Sequence, residues 1–304
     1  MLTGPEPLSQ LAPHPGITGL AIGVFDGIHL GHQAVIHSLH ENWAALTFEP
    51  HPLAVIAPGR APPRLTTLGQ KLVLLRQHGA VAVIAVKFDD DLRRLSPAQF
   101  VGEIARVFPE LRHAAIGQNW SFGRNREGNA ARLAELADGR HITVKIIPAV
   151  ELDGEPVSST RIRGAISQRL FAEAARLLGR SYAVTGTVVE GDARGRLLGF
   201  PTANLADVEQ LLPPRGVYAA RVRMGENEAI HQAVLNLGRR PTFTSNGVDS
   251  LEVHLLDFHG DLYGEELEIS HFSFLREEMI FAGPDALKAQ IAADIAKARV
   301  ILAR

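Results

Sequence analysis

At 304 residues the chain is long enough for two domains, on a soft prior of about 150 residues each. Its 46% apolar and 21% charged content is that of a folded globular protein rather than a disordered one. A formal net charge of −2 with no lysine or arginine block argues against a broad nucleic-acid surface, and the lack of cysteine removes disulfides, thiolate metal sites and a cysteine nucleophile.

Residues 1–16 are rich in proline and lack the basic-then-apolar order of a signal peptide. No apolar run approaches the roughly 20 residues that span a bilayer. The expectation is a soluble cytoplasmic protein with no nucleic-acid and no membrane partner. Apolar runs then follow at 20–25, 44–48, 80–86, 113–117 and 144–147. Runs of this length suit parallel strands buried on both faces. Helical patterns lie between them, at 68–78 closed by Gly79 and at 97–107. Such alternation predicts βαβ units in a doubly wound parallel sheet, with ligands at the carboxyl ends of the strands.

Near residues 180–183 the character changes, which divides the chain into 1–181 and 182–304. Short runs at 183–189, 217–223, 229–235, 251–258 and 267–272 come without intervening helices. They predict an antiparallel β-barrel or sandwich. A closing helix starts at Gly283-Pro284-Asp285, with Leu287, Ile291, Ile295, Ala298 and Leu302 as its apolar stripe.

Two stretches of the first half carry phosphate chemistry. Gly23-Val24-Phe25-Asp26-Gly27-Ile28-His29-Leu30-Gly31-His32 follows the first strand and opens a helix. Glycines 27 and 31 let backbone approach a ligand closely, and the helix start offers unpaired N–H groups and a positive dipole end. His29 and His32 can then hold phosphates and stabilise charge as pyrophosphate leaves. The bland alternative is a strand–turn–helix with two polar surface histidines. Zinc fits less well, since no further cluster at ligand spacing follows nearby. The second stretch is Val157-Ser158-Ser159-Thr160-Arg161-Ile162-Arg163, whose hydroxyls and guanidiniums suit phosphate. Its alternative is a helix N-cap followed by solvated arginines.

In the second half, Gly191-Asp192-Ala193-Arg194-Gly195-Arg196-Leu197-Leu198-Gly199-Phe200 is a glycine-rich basic loop, followed by Pro201-Thr202-Ala203-Asn204. Such a loop can fold over phosphates, or be an ordinary hairpin connection. Thr202 and Asn204 share a face of an extended segment and offer hard oxygens of the kind Mg²⁺ accepts. A turn pair is the alternative. Glu252 interrupts an apolar strand, as a buried carboxylate with a task or as a solvent-facing residue alternating with Leu251 and Val253.

The first motif with the Ser158–Arg163 stretch resembles the nucleotidyltransferase superfamily. Thr47-Phe48-Glu49-Pro50-His51-Pro52, Leu95-Ser96-Pro97-Ala98-Gln99-Phe100 and Gly117-Gln118-Asn119-Trp120-Ser121-Phe122-Gly123 narrow the resemblance to the adenylyltransferase module of prokaryotic bifunctional FAD synthetases. The string from Gly191 to Asn204 is similar to the riboflavin kinase module, as are Arg215 to Ala219, Asn236 to Phe243, Leu251 to Phe258 and Asp261 to Gly264. The resemblance implies a nucleotidyltransferase fold followed by a kinase barrel. It implies riboflavin, ATP, FMN and FAD as ligands, ADP and pyrophosphate as further products, and Mg²⁺ on Thr202 and Asn204. Glu252 is implied as the catalytic base, with His29 and His32 catalytic in adenylyl transfer. Nucleotide and phosphate contacts are implied for Gly23, Phe25, Asp26, Gly31, Asn119, Ser158, Ser159, Thr160, Arg161 and Arg163 in one module, and for Gly191, Arg194, Gly199 and Pro201 in the other. Two departures stand out. Only fourteen residues separate His32 from Thr47, and Arg169 occupies a position where glycine is usual. A monofunctional enzyme with one degenerate domain and a non-catalytic flavin-binding regulator are the rival readings.

Overall fold

A computed structural model describes residues 4–191, 195, 198–225, 229–239 and 249–303. The chain divides into two compact units, Met1–Ser159 and Thr160–Arg304.

The first unit is built on a five-stranded parallel sheet. Its strands are β1 (Gly19–Ile22), β2 (Trp43–Glu49), β3 (Ala82–Lys87), β4 (His113–Gly117) and β5 (Thr143–Ile147), in the order β3-β2-β1-β4-β5. Successive residues feed opposite faces, as a two-residue period requires. Leu20, Ile22, Ala44, Leu46 and Phe48 enter one core, where α3 (Pro97–Val107) and α4 (Ala130–Asp138) bury Phe100, Ile104, Val107 and Leu133. Ala21 and Ala45 enter the other, with Val35 and Ile36 of α1 (Leu30–His37) and Leu75 of α2 (Leu68–Gln77). Both cores are needed to bury such strands, which explains the continuous apolar runs. Ser96 with Gln99 and Thr67 with Gln70 form capping boxes that start α3 and α2.

The expected strand at 20–25 ends three residues early. The backbone of Phe25 turns to a positive φ of 51°, and its ring is pulled into the second core. That turn carries the first motif out at the carboxyl end of the central strand. There the connections leave in opposite directions, to β2 on one side and β4 on the other, which is the usual place for a ligand in an open α/β sheet.

The second unit is a closed antiparallel barrel. Its strands are β6 (Ala183–Val189), β7 (Ala203–Ala206), β8 (Gly216–Met224), β9 (Ile230–Arg239), β10 (Asp249–Leu255) and β11 (Glu266–Arg276), in the order β6-β7-β10-β9-β8-β11. Tyr218, Leu235, Leu251, Val253, Leu267 and Ile269 are buried along its strands. The closing helix α7 (Pro284–Leu302) lies against Val217, Ala219, Val234 and Leu275 through Ala298 and Leu302. The expected stripe is otherwise half-buried, because Asp294 takes a buried place on the same helix and binds the Arg276 guanidinium at 2.8 Å. Before the barrel come α5 (Ser159–Ser167) and α6 (Phe171–Leu178). Phe171 stacks on Phe272 at 5.6 Å and meets Tyr218 edge-on, which ties α6 to the barrel ahead of the change in character read at 180–183.

Candidate functional site

At the end of β1, Gly23 N–H donates to Leu46 O at 3.1 Å and Thr47 Oγ1 donates to Val24 O at 2.9 Å, so β2 holds the turn from the side. A Cβ on Gly23 would stand 3.1 Å from the Phe25 ring. Phe25 itself is a core residue, 1% exposed. Read as a nucleotide contact, it can offer a ligand its backbone and not its ring. Asp26 is also committed. Its Oδ1 accepts from the N–H groups of Leu65 and Thr66 at 2.9 and 3.2 Å, while Gly27 N–H donates to Thr66 Oγ1 at 3.0 Å. A buried carboxylate held by amide donors fixes loop geometry rather than binding another anion.

His29 is the N-cap of α1, its Nδ1 accepting from His32 N–H at 3.3 Å. Neutral His29 therefore carries its proton on Nε2. The rings of His29 and His32 stack at 3.7 Å with an interplanar angle of 17°. A Cβ on Gly31 would come within 3.1 Å of the His29 ring, so glycine at 31 makes the stack possible. Phe25 packs edge-on to His32 at 5.4 Å. Burial pushes the His32 imidazole well below its ordinary value, and His29 and Lys71 push it the same way. Its Nδ1 is buried and has no hydrogen-bond partner among the described residues. The pair thus sets two stacked imidazoles, with burial holding His32 neutral, beside the start of α1.

The second stretch reaches this motif. Ser159 Oγ donates to Asp26 O at 2.9 Å, and a Cβ on Gly31 would lie 3.6 Å from Val157 O. Ser158 and Ser159 are half-buried and Thr160 is exposed. Arg161 is held by Glu173 of α6, its Nε and Nη2 donating to one carboxylate oxygen at 3.2 and 3.1 Å. Arg163 lies on α5 four residues beyond Ser159, on the same helical face. Asn119 is exposed in the turn after β4, and its neighbour Trp120 stacks on Phe122 at 4.6 Å.

Sequence reasoning missed a buried group beside the motif. Lys71 of α2 is 4% exposed, with its ammonium 3.8 Å from Glu49. Glu49 also accepts from Arg64 Nη2 at 2.6 Å. Burial lowers the Lys71 pKa, against the opposing pull of Glu49 and Asp26. The only sequence signal was the acidic residue inside the Thr47–Pro52 motif.

In the barrel, Asn204 on β7 is the register partner of Glu252 on β10, and Glu252 is also the partner of Asn236 on β9. Cross-strand partners share a face, so the three side chains form one row across three strands. Leu251 and Val253 point to the interior and are buried, whereas Glu252 is half-buried. Gly191 lies directly on the row, and Gly195 lies against Thr202. A Cβ on Gly191 would meet Asn204 Nδ2 at 2.0 Å, and one on Gly195 would stand 3.1 Å from Thr202 Oγ1. Phe200 N–H donates back to Gly195 O at 2.9 Å, and Gly199 takes a φ of 88° that suits glycine in this tight turn. Pro201 O lies 2.7 Å from His254 Nδ1, which fixes the chain just ahead of Thr202. His254 is a second residue beside the candidate site that the sequence did not single out. Arg194, together with Asp192, Ala193, Arg196, Leu197 and the stretch Arg240 to Phe243, lies outside the described residues.

A family model described as FAD synthetase matches residues 13–161, and one described as riboflavin kinase matches residues 178–302. A bifunctional riboflavin kinase/FMN adenylyltransferase of Listeria monocytogenes is 38% identical over 294 residues, covering 94% of this chain and 92% of that protein. One from Pseudomonas fluorescens is 39% identical over 304 residues, covering 97% and 96%. A solved structure from Streptococcus pneumoniae, described as a macrolide-efflux protein, superposes with a TM-score of 0.82 at 27% identity over 96% of this chain and 97% of that one. Efflux is said of that protein; no helix among the described residues here is long and apolar enough to cross a membrane. Both modules are matched in order and the relatives are similar over nearly their whole length, so the chain belongs to the family of bifunctional riboflavin kinase/FMN adenylyltransferases.

Proposed function

We propose that residues 182–304 phosphorylate riboflavin and that residues 1–181 adenylylate the FMN so formed, each at its own site, in the cytoplasm where ATP is drawn on twice. The observation that carries the kinase site is the register of Asn204 against Glu252 beneath Gly191, with Gly195 against Thr202. Glu252 accepts the proton of the riboflavin 5′-hydroxyl as that oxygen attacks the γ-phosphorus of ATP. The γ-phosphorus–oxygen bond breaks and ADP leaves with the electron pair. Gly191, Arg194, Gly199 and Pro201 belong to the loop that covers the phosphates.

The residues present fit a magnesium ion. Thr202 and Asn204 supply hard oxygens, and Gly191 and Gly195 let the backbone close against them where any larger residue would clash. Bound there, Mg²⁺ would neutralise charge on the ATP phosphates. Asn204 and Thr202 would hold it, and Glu252 is set across from Asn204 to meet the hydroxyl.

In the first module, an FMN phosphate oxygen attacks the α-phosphorus of a second ATP, and pyrophosphate departs as the α–β bridging bond breaks. The His29 and His32 imidazoles hydrogen-bond the reacting phosphates. Ser158, Ser159, Thr160 and Arg163 grip the departing pyrophosphate, and Gly23 and Gly31 let backbone close on the nucleotide. Arg161 acts through Glu173 on the helix, and Asn119 borders the adenylate or flavin.

The test is incubation with riboflavin, ATP and Mg²⁺, followed by chromatography. FMN then FAD is the expected order. No FMN overturns the kinase assignment, FMN without FAD overturns the transferase assignment, and binding of flavin without turnover leaves the regulator reading.

A further inference from the structure

Arg169 is the left-handed residue that ends α5, with φ 62°. Its N–H donates to Ile166 O at 3.0 Å, and Leu170 N–H donates to Ala165 O at 2.8 Å. These two bonds are the Schellman closure of a helix, in which the left-handed residue is normally glycine. An arginine here keeps the closure and adds a side chain that glycine cannot supply.

All three nitrogens of that side chain are engaged. Nε donates to Tyr218 Oη at 3.1 Å, and Nη1 and Nη2 donate to the two oxygens of Glu277 at 2.7 and 2.9 Å. Nη2 also donates to Arg215 O at 2.8 Å, and the guanidinium lies 3.9 Å over the Phe274 ring. Tyr218 is fully buried and passes its own proton to Pro214 O. One planar group therefore joins the end of α5 to the start of β8 and the end of β11. A lone exposed ion pair holds little, but a forked, stacked and multiply bonded guanidinium has a single geometry that lysine cannot reproduce.

We propose that Arg169 is a positioning residue for adenylyl transfer, fixing the helix that carries Arg163 to the wall of the kinase barrel. α5 spans only Ser159–Ser167, so anchoring its carboxyl end sets the rotation of the whole helix and the direction of Arg163. The Arg161–Glu173 pair holds the same helix to α6 in the same unit. The inference rests on the reading that Arg163 binds the phosphates of ATP.

The experiment uses the full chain with Arg169→Gly, Arg169→Lys and, as a control, Arg163→Ala. FMN adenylylation is assayed with FMN supplied, riboflavin phosphorylation separately, and thermal unfolding alongside. Glycine suits the left-handed closure, so Arg169→Gly folds. The expected result is a fall of about tenfold in kcat/KM for ATP in adenylylation, short of the roughly 10²-fold that a full 1 Å misplacement of a binding group can cost. Phosphorylation stays within about twofold, and Arg169→Lys fails to rescue, as its point charge lacks the fork. If Arg163→Ala abolishes FAD formation while Arg169→Gly leaves it intact, the inference fails alone. If Arg163→Ala leaves FAD formation intact, the reading beneath it fails. Parallel losses of both activities together with unfolding temperature would make Arg169 merely structural and would also overturn the proposal.

Discussion

Asn204 and Glu252 face each other directly across the β7–β10 pairing, an amide beside a carboxylate on one face of the barrel wall. The relationship separates their roles in experiment. Glu252→Gln keeps the size and the neighbouring hydrogen-bond geometry but removes the base. FMN formation should fall about 10²–10⁴-fold, the usual contribution of a positioned general base. Conversion of supplied FMN to FAD should be unchanged, since His29 and His32 belong to the other unit. Quantifying both products by chromatography checks this, and equal loss of the two activities would contradict one site per module.

Gly191 provides a sharper steric test. Its missing Cβ would fall 2.0 Å from Asn204 Nδ2, inside any allowed contact, and Asn204 is itself buried between neighbours. Gly191→Ala must therefore displace either the loop or the amide. We expect kinase kcat/KM for ATP to drop by about 10²-fold, as a misplaced binding group does, with adenylylation unaffected. Wild-type ATP kinetics in the variant would show that the loop moves away from Asn204 without consequence.

Much of this arrangement was legible in the chain itself. Strands β4 and β6 and helix α3 fall where the apolar period puts them, because a buried strand or an amphipathic helix leaves a signature local in sequence. β7 was not recognised as a strand, since Ala203–Ala206 is short and carries Asn204, and its pairing partners come from residues far along the chain. Lys71 was invisible for a similar reason. A lysine on a polar-looking helix reads as solvated, and only the fold brings Glu49 and Asp26 towards it. Arg169 was visible as a departure from glycine. Its meaning depends on Glu277, 108 residues away, which no local pattern reports.

The Lys71–Glu49 pair gives a stability prediction with a definite order. Glu49→Gln leaves the buried ammonium without its nearest counter-charge, a change that costs about 3 kcal/mol in buried pairs. Lys71→Met removes the ammonium and fills similar volume, while Glu49 keeps Arg64. It should cost less than about 1.5 kcal/mol, as a volume-conserving swap does. Urea unfolding followed by tryptophan fluorescence reports on this unit alone, because Trp43 and Trp120 both lie in it. The reverse order would mean that Lys71 stabilises the site by contacts other than its charge pairing.

His32 makes the same unit sensitive to acid, and the sign follows from its environment. Burial, reinforced by His29 and Lys71, holds the folded imidazole well below the ordinary value of 6.5. Above pH 6.5 the ring is neutral in folded and unfolded chains, so it adds no pH dependence. Below pH 6.5 the unfolded chain takes up a proton that the folded chain refuses. Stability is then lost as pH falls, by up to about 1.4 kcal/mol per pH unit for this one group, until the folded value is reached. His32→Gln removes the titration while keeping a polar side chain. Unfolding free energies measured by tryptophan fluorescence at pH 7.5, 6.5 and 5.5 should converge between wild type and variant as the pH drops. Parallel curves would show that His32 takes up its proton in the folded protein as readily as in the unfolded chain. His32 would then gain its charge near its ordinary value of 6.5, and burial would not be holding the ring neutral.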